Sequence, residues 1–478
     1  MITNFQDLYN LTPMLLIAAG ILVSLIVEMY TKKAALIMPW LSIIMFLAAG
    51  LHALWNVNTT GTLFQGMLAT GGNVSIFHFI FNFGAVIVCL LSIDYIKKEG
   101  AYYGEYYILV QSSVLGMMLM AAAKDLLVIF MGLEIMSVCF YALAGINRKR
   151  VKSNEAALKY FLLGAFATGF IVYGMALIYG AVHSTSIDMM IAEFPLLSRN
   201  ILFISGILLF LVGFSFKIAA FPFHMWVPDV YQGSPTTIAG LFSTSGKAAA
   251  FSAIIVSVSA IFISGEQTAV FRPYLAVISL FSMLFGSIVA IAQDDIKRML
   301  AYSSISHAGY MLIGLAAGNN EGIAGIIFYL TAYTFMNLGA FGIIALVEGR
   351  EETNLSIKSY SGLANKYPFL AALLAICMFS LAGLPPFAGF FGKYYVFIAA
   401  VKGNLTWLAI LGVISSAISV YFYLRIVVLM YFKEATDSIY VEKSNTGLLG
   451  VVISVLMIIA LGILPGSLIN LISAFLKI

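Results

Sequence analysis

Long apolar segments separated by short polar breaks follow one another along the whole chain. A helix that spans a bilayer needs about 20 mostly apolar residues, and fourteen segments of that kind can be marked between polar or turn-rich breaks. This pattern predicts an all-α polytopic membrane protein with about fourteen transmembrane helices. The predicted spans are 12–30, 35–55, 74–96, 106–123, 125–146, 156–182, 201–224, 234–263, 271–292, 298–317, 322–347, 369–400, 404–432 and 447–474.

The composition supports a membrane protein and argues against a soluble one. Of 478 residues, 62% are hydrophobic and only 10% are charged, whereas a soluble domain has about 25% charged residues. No loop between the predicted spans is long enough for a soluble domain. The net charge of +4 does not indicate a nucleic-acid partner, because the basic residues lie mostly in the loops.

The basic residues of the loops predict how the chain is oriented. Cytoplasmic loops are enriched in Lys and Arg, and with the N-terminus outside, fifteen basic residues fall on one side and five on the other. We therefore expect both termini to lie on the non-cytoplasmic side of the membrane. The predicted cytoplasmic set is Lys32, Lys33, Lys97, Lys98, Arg148, Lys149, Arg150, Lys152, Lys297, Arg298, Arg350, Lys358, Lys366, Lys433 and Lys443; the opposite set is Lys124, Arg199, Arg272, Lys402 and Lys477.

A few ionisable groups remain inside the predicted spans. A charged side chain at the bilayer centre costs roughly 2.5–3.5 kcal/mol on insertion scales, so it is rare there unless it is paired or lines a wet cavity. Arg425, in the thirteenth span, and Lys159, near the start of the sixth, stay outside the main hypothesis. The candidate proton-carrying residues are Glu134, Lys217, Lys247, His307 and Lys393.

Lys217 lies in the stretch Ser205–Lys247, which three prolines interrupt. Pro222 cannot donate a backbone hydrogen bond, so the helix that carries Lys217 is predicted to break just after it. Glu134, in the fifth span, is the expected electrostatic partner of Lys217. The alternative is a structural ion pair that only fixes helix packing.

Lys247, Lys393 and His307 each lie among small or hydroxyl-bearing residues. Lys247 follows Ser243, Thr244 and Ser245 near mid-membrane, and burial disfavours the charged form of a lysine, which suits a proton carrier. The alternatives are a lysine that snorkels to the interface, an incidental lysine near the Pro385–Pro386 kink for Lys393, and a hydrogen-bonded structural histidine for His307. His224 and Asp229 could admit protons or cap a loop.

A short phrase recurs in the seventh and twelfth spans. FSFKIAAFPF at 214–223 and FSLAGLPPF at 379–387 share their first two and last two residues. The spans are five apart, so the second copy would be inverted in the membrane, as in many transporters. Dinucleotide, P-loop, metal-ligand and nucleophile motifs are not found. The three cysteines lie far apart in apolar segments. We therefore expect no redox site in this chain.

Three segments together resemble a known family. FKIAAFPFHMWVPDVYQGSPT (216–236), QDDIKRMLAYSSISHAGYM (293–311) and FSLAGLPPFAGFFGK (379–393) are similar to the antiporter-like membrane subunits of respiratory complex I. These subunits are related to those of multi-subunit sodium/proton antiporters. Within the family, Lys393 and the VYQGSPT wording resemble the subunit N branch of the proton-pumping NADH:quinone oxidoreductase.

The resemblance implies an architecture and roles for residues. It implies discontinuous helices seven and twelve and the divisions 1–105 (helices one to three), 106–263 (first five-helix repeat), 264–432 (second, inverted repeat) and 433–478 (helix fourteen). Glu134, Lys217, Lys247 and Lys393 match the family's glutamate in helix five and its lysines in helices seven, eight and twelve.

The resemblance also implies a function and partners. The chain would translocate protons, driven by quinone reduction elsewhere, and would hold no cofactor itself; NADH, FMN, iron–sulfur clusters and a quinone would be used by other subunits. Its partners would be antiporter-like subunit M, the small membrane subunits next to the quinone arm and the lipid bilayer, with no nucleic acid. The alternatives are a sodium/proton antiporter subunit and a purely structural membrane subunit.

Overall fold

The fold is built almost entirely of α-helices. The computed structural model of the chain describes residues 5–100, 103–263, 271–349, 353–434, 441 and 443–476. Arg350 and Lys477, which were counted in the predicted loops, lie outside the described residues. Within the described part, the β-structure in strands is a single antiparallel hairpin of β1 (Gly61–Leu63) and β2 (Leu68–Thr70), in which Thr62 pairs with Ala69.

The first three spans form an N-terminal group. Of the most apolar 18 residues of each helix, 33% are buried in α1 and 44% in α2, whereas 89% are buried in α3. The first two helices therefore present an apolar face to lipid or to another subunit, and α3 packs into the interior. Their bounds are α1 Phe5–Tyr30, α2 Ala34–Trp55 and α3 Gly72–Lys98.

The next group contains spans four to eight. A short amphipathic helix, α7, lies between spans six and seven and was not predicted. The eighth span begins as an α-helix, passes through a π-helical turn and continues as an α-helix. The bounds are α4 Glu105–Ala122, α5 Leu126–Ala144, α6 Val151–Val182, α7 Ile187–Leu197, α8 Ile201–Lys217, α9 Val227–Gly233, α10 Thr236–Leu241, the π turn Phe242–Gly246 and α11 Lys247–Ile263.

Spans nine to fourteen complete the chain. The twelfth span consists of two helices of 15 residues each, α16 and α17, separated by a non-helical segment that contains Pro385 and Pro386. The bounds are α12 Phe271–Ile291, α13 Ile296–Ala316, α14 Asn320–Val347, a 3-10 turn Ile357–Tyr360, α15 Leu363–Lys366, α16 Pro368–Ala382, α17 Ala388–Lys402, α18 Thr406–Phe432, α19 Asn445–Ile463 and α20 Pro465–Ala474.

Each predicted span corresponds to a helix or a broken helix. Eleven helices of the described residues are long and apolar enough to cross a membrane. The other predicted spans correspond to α8, to the α16–α17 pair, and to α13, which carries His307 and several serines. The chain is thus an all-α polytopic membrane protein. The discontinuity of helices seven and twelve follows from prolines that cannot continue the helix ladder.

Two aspartates begin helices in equivalent ways. Asp125 caps α5 by accepting from the amide of Leu127 at 2.8 Å, and Asp295 caps α13 by accepting from that of Lys297 at 2.8 Å. Each aspartate also forms an isolated antiparallel bridge, Asp125 with Ser186 and Asp295 with Ser356. This local equivalence fits an internal repeat, and the division into repeats at residues 106, 264 and 433 stays a prediction.

The helix α14 occupies the centre of the fold. Of its most apolar window, 94% is buried inside the chain, because it is apolar or small on all sides, as a fully enclosed helix must be. Its few polar side chains, Tyr329, Tyr333 and Asn337 among them, are therefore held in the interior. These side chains line the candidate site.

Candidate functional site

Lys217 is the last residue of α8, where the helix breaks. Its side chain is 7% exposed. The ammonium donates to Ser137 Oγ at 2.9 Å and to Tyr141 OH at 3.3 Å, both on α5. It also lies 5.7 Å from the Tyr141 ring centroid, within the range of a cation–π interaction. The break predicted after Lys217 is confirmed by the end of α8 at this residue.

Glu134 lies one turn before Ser137 on α5. Its Oε1 accepts a hydrogen bond from Thr168 Oγ1 on α6 at 3.0 Å. Within the described residues, no Glu134–Lys217 ion pair within 4.0 Å is found, since the lysine is bonded to Ser137. Glu134 lies one turn of α5 away from Ser137, the residue that binds Lys217. A longer-range electrostatic interaction between Glu134 and Lys217, and its role in proton transfer, stay predictions.

Lys247 begins α11 directly after the π turn. Its side chain is 2% exposed, and its Nζ lies 2.5 Å from both the carbonyl oxygen and the Oγ of Ser304 on α13. π-Helical turns inside α-helices are rare and are frequent at functional sites. The interface-snorkelling alternative is wrong for this residue, because the ammonium is buried between helices.

His307 is enclosed by tyrosines and is 1% exposed. Its Nδ1 lies 2.8 Å from Tyr329 OH, and its Nε2 lies 3.0 Å from Tyr423 OH. The Tyr423 hydroxyl is also hydrogen-bonded to Ser303. A ring with a hydroxyl at each nitrogen can accept a proton at one nitrogen and release it at the other, which is the arrangement a relay needs.

Lys393 lies in α17, a turn and a half after the break of the twelfth span. Its side chain is 4% exposed. The ammonium donates to the Ala382 carbonyl at 2.9 Å and to Ser416 Oγ at 2.9 Å. The Ala382 carbonyl is one of those freed at the end of α16, so the broken helix supplies a ligand to the lysine, as carbonyls at helix ends do for cations.

Aromatic side chains connect these groups. The Tyr333 ring lies 5.6 Å from Lys247 Nζ and 4.8 Å from the His307 ring. The Tyr310 ring lies 5.9 Å from the His307 ring and 5.0 Å from Lys393 Nζ. The structure thus brings Lys247, His307 and Lys393 into one buried cluster.

The connection between Lys217 and Lys247 is different. Among the described side chains, hydrogen bonds do not join these two lysines. Edge-to-face and tilted rings of Tyr141, Tyr160 and Phe242 lie between α5, α6 and the π turn. The centroids of these rings are 5.0 and 5.5 Å apart. The site therefore has two parts, Glu134–Lys217 and Lys247–His307–Lys393, with an aromatic boundary.

Asp229 holds a set of ion pairs at the end of the seventh span. Its Oδ2 accepts from Lys159 at 2.7 Å and its Oδ1 from Arg298 at 2.8 Å. Burial raises the pKa of Asp229, but the hydrogen bonds from Lys159 and Arg298 outweigh burial and hold this pKa below its ordinary value. The structure gives Asp229 a bridging contact between α6, α9 and α13. Neighbouring His224 is buried between the Phe221 and Phe285 rings.

Two buried charges were not expected from the sequence. Lys297, assigned to a loop, is fully buried and donates to the carbonyl of Ser234 at 2.7 Å. Glu348, just after the eleventh span, is 2% exposed. The only sequence signal for either was its position within one turn of a span end. Arg425 pairs with Asp294 at 3.4 Å.

Metal-ligating clusters are not found in the part of the chain that the structure describes. The three cysteines are free and buried, as their positions in apolar segments indicate.

Comparison with known families identifies the chain. The family described as "NADH:quinone oxidoreductase/Mrp antiporter, TM" matches residues 123–419. NADH-quinone oxidoreductase subunit N 1 of Chloroherpeton thalassium is 43% identical over 465 residues, which cover 97% of each chain. The chain belongs to this antiporter-like family. The resemblance inferred from the three sequence segments is thereby confirmed.

Solved structures of family members share the fold. A chain of respiratory complex I from Thermus thermophilus is 31% identical, with a TM-score of 0.83, over 96% of this chain and 99% of the other. A chain of the Mrp complex from Dietzia sp. has a TM-score of 0.87 at 20% identity over 98% and 97%. At 20% identity, the similarity to the Mrp chain supports the fold only.

Proposed function

We propose that this chain is a proton-translocating membrane subunit of an NADH:quinone oxidoreductase. The observation that carries the proposal is the buried set of Lys217, Lys247, His307 and Lys393, each with hydroxyl or carbonyl partners inside the membrane region. Charges this deep are retained where they mark ion pathways. The similar Chloroherpeton protein is named as an NADH-quinone oxidoreductase subunit, and the similar Thermus chain belongs to respiratory complex I. Both likenesses support a role within an oxidoreductase.

In this mechanism, protons come from the side that carries most basic loops. They reach Lys217, pass the aromatic boundary to Lys247, continue by His307 to Lys393 and leave on the opposite side. Quinone reduction in neighbouring subunits shifts the charge near Glu134, which alters the stability of the protonated lysine. Repulsion between ammonium groups passes the change onward, because Coulomb interactions at low effective dielectric reach several kcal/mol.

The chain itself carries out no redox chemistry in this proposal. NADH, FMN, iron–sulfur clusters and quinone belong to other subunits, and subunit M and the small membrane subunits next to the quinone arm are its neighbours. Both termini face the non-cytoplasmic side of a bacterial inner membrane. Residues 106–263 and 264–432 act as two inverted halves.

The family description also covers Mrp antiporters, so a sodium/proton exchanger is the second candidate. The experiment reconstitutes the purified complex in liposomes and follows proton and ²²Na⁺ movement on addition of NADH and a quinone. We expect NADH-driven proton movement that is independent of sodium. Sodium-dependent exchange without NADH would favour the antiporter, and NADH oxidation with unchanged pumping in charge-neutralised variants would favour a structural role.

A further inference from the structure

Glu348 is a buried carboxylate outside the lysine and histidine set. It caps the end of α14, on the face of the molecule that carries Lys97, Lys98 and Arg148, which we call the basic face. Tyr95 OH donates to its Oε2 at 3.1 Å, and Thr236 Oγ1 donates to the same atom at 2.6 Å. The other carboxylate oxygen, Oε1, is buried and has no hydrogen-bond partner among the described residues.

A cleft opens beside Tyr95, the residue that donates to this carboxylate. It has a volume of about 20 Å³ and is lined by Asp94, Tyr95, Lys98 and Ser444 among others, which is enough for a water molecule. The side chain of Asp94 at its outer end is 39% exposed. Tyr95 both lines the cleft and donates to Glu348, so one hydroxyl connects the cleft to the carboxylate.

Other charged groups lie close to Glu348. Lys98 Nζ donates to the backbone carbonyls of Ala345 and Glu348, at 3.1 and 2.5 Å. Arg150 is paired with Glu99 at 2.5 Å. Burial and, next, the Glu348 carboxylate raise the pKa of Glu99 despite that pairing.

Polar side chains lie at the two ends of the contact between α10 and α14, and the side chains between those ends are apolar. Thr236, which holds Glu348, is the first residue of α10, and Lys247 follows eleven residues later, about 16 Å along the same span. α10 packs against α14. On this seam Asn337 Nδ2 donates to Ser243 Oγ at 2.7 Å and to Tyr333 OH at 3.1 Å. The Tyr333 ring contacts Lys247.

Two further polar atoms on the seam are buried without a described partner, Asn337 Oδ1 and Ser245 Oγ. Buried polar atoms of this kind are costly unless they are hydrogen-bonded, and internal water satisfies many of them. Together with Glu348 Oε1 they mark buried acceptors at the basic-face end of the seam and at its Lys247 end.

We propose that Glu348 is a proton-loading residue that supplies Lys247 directly from the basic face, separately from Lys217. A proton from water in the cleft binds Glu348 Oε1, with the Tyr95 hydroxyl as neighbouring donor. The carboxyl group then releases it along the α10–α14 seam, past Asn337 and Ser243, to the neutral amine of Lys247. This inference rests on the proposed function of Lys247.

The test compares Glu348→Gln with Glu348→Asp in the whole complex. Gln keeps the shape of Glu348 and an oxygen that accepts from Tyr95 and Thr236, but it cannot carry a proton; Asp keeps the carboxyl group. We expect Glu348→Gln to slow NADH-driven proton uptake at least about tenfold, as loss of a positioned proton-transfer group does, and Glu348→Asp to retain most of it. Glu321→Gln, an exposed carboxylate at the other end of α14, is the matched control and should pump normally.

A Lys247→Ala variant measured beside these separates the two proposals. Normal pumping by Lys247→Ala would overturn the proposed function itself. Impaired Lys247→Ala with normal Glu348→Gln would overturn only the role of Glu348. If the Glu348→Gln complex does not assemble, the Asn337→Leu variant tests the route instead. Leu keeps the side-chain volume of Asn337 and removes its amide from the seam. Slowed pumping by this variant supports the route, and normal pumping contradicts it.

Discussion

Lys247 and Ser304 are joined at two atoms, with Lys247 Nζ 2.5 Å from both the carbonyl oxygen and the Oγ of Ser304. Ser304 lies nine residues after the cap Asp295, as Glu134 lies nine residues after the cap Asp125. At the same distance from the cap, α5 therefore carries a carboxylate and α13 a serine that binds a lysine. The preceding residue, Ser303, bonds Tyr423, which bonds His307.

Ser304→Ala should weaken the hold on Lys247 without removing it, because the carbonyl contact remains. A hydrogen bond to a charged group is worth about 1.5–3 kcal/mol, so we expect a several-fold loss of NADH-driven proton uptake, smaller than that of Lys247→Ala. Ser252→Ala is the control, since the buried Ser252 hydroxyl bonds only a carbonyl of its own helix. Equal rates for Ser304→Ala and the control would contradict the assignment.

Glu134→Gln should impair pumping although Glu134 does not contact Lys217. A carboxylate one turn from the bound ammonium stabilises it by on the order of 1–2 kcal/mol at an effective dielectric near 20. Glu134→Asp should restore most of the rate. Glu155→Gln removes an exposed carboxylate on α6 and should leave the proton-to-electron ratio unchanged. A Glu134→Gln complex with wild-type pumping would mean that this charge acts only in packing.

Gly132→Ala should destabilise the packing of α4 against α5. A Cβ at Gly132 would lie 2.6 Å from the carbonyl oxygen of Gly116, so the helices would have to separate, at a cost of about 1–3 kcal/mol. Gly169→Ala meets nothing within 4 Å and is the control. The measurement is the amount of assembled complex in membranes and its thermal unfolding. Unchanged assembly of Gly132→Ala would disprove the close contact.

Asp229→Asn should lower stability in a pH-dependent way. The folded-state pKa of Asp229 lies below its ordinary value of 3.8, so its ion pairs contribute stability above that value, and the contribution is lost as pH falls through the folded-state pKa. Because the side chain is 38% exposed, we expect a loss of at most about 1 kcal/mol at neutral pH. At pH 7 the variant should unfold at a lower temperature than wild type. At pH 3 this difference in unfolding temperature should be smaller. An equal difference at both values would exclude the charge as its cause.

The helices and three of the buried lysines followed from the sequence. Span length and composition predict the helical fold, because a lipid-exposed backbone must satisfy its own hydrogen bonds, and Pro222 predicts the break beside Lys217. Lys217, Lys247, His307 and Lys393 stand out because ionisable groups are rare in apolar segments.

What the sequence did not predict depends on three-dimensional contacts. The π turn before Lys247 has residue types that also occur in α-helices, so the hydrophobic pattern of the sequence does not reveal it. Glu348 and Lys297 lie at span ends, where a charge is normally solvated. Glu348 is enclosed by the packing of α3, α10 and α14, and Lys297 by the packing of α9 and α13. The short helix α7 is only 11 residues long and is too short to be marked as a span.

The central claim is that buried lysines relay protons, and the most direct measurement is the proton-to-electron ratio of the Lys247→Ala complex in liposomes. The account predicts a complex that assembles normally but has a reduced ratio or a strongly reduced NADH-driven turnover. An assembled Lys247→Ala complex with the wild-type ratio at the wild-type turnover would contradict it.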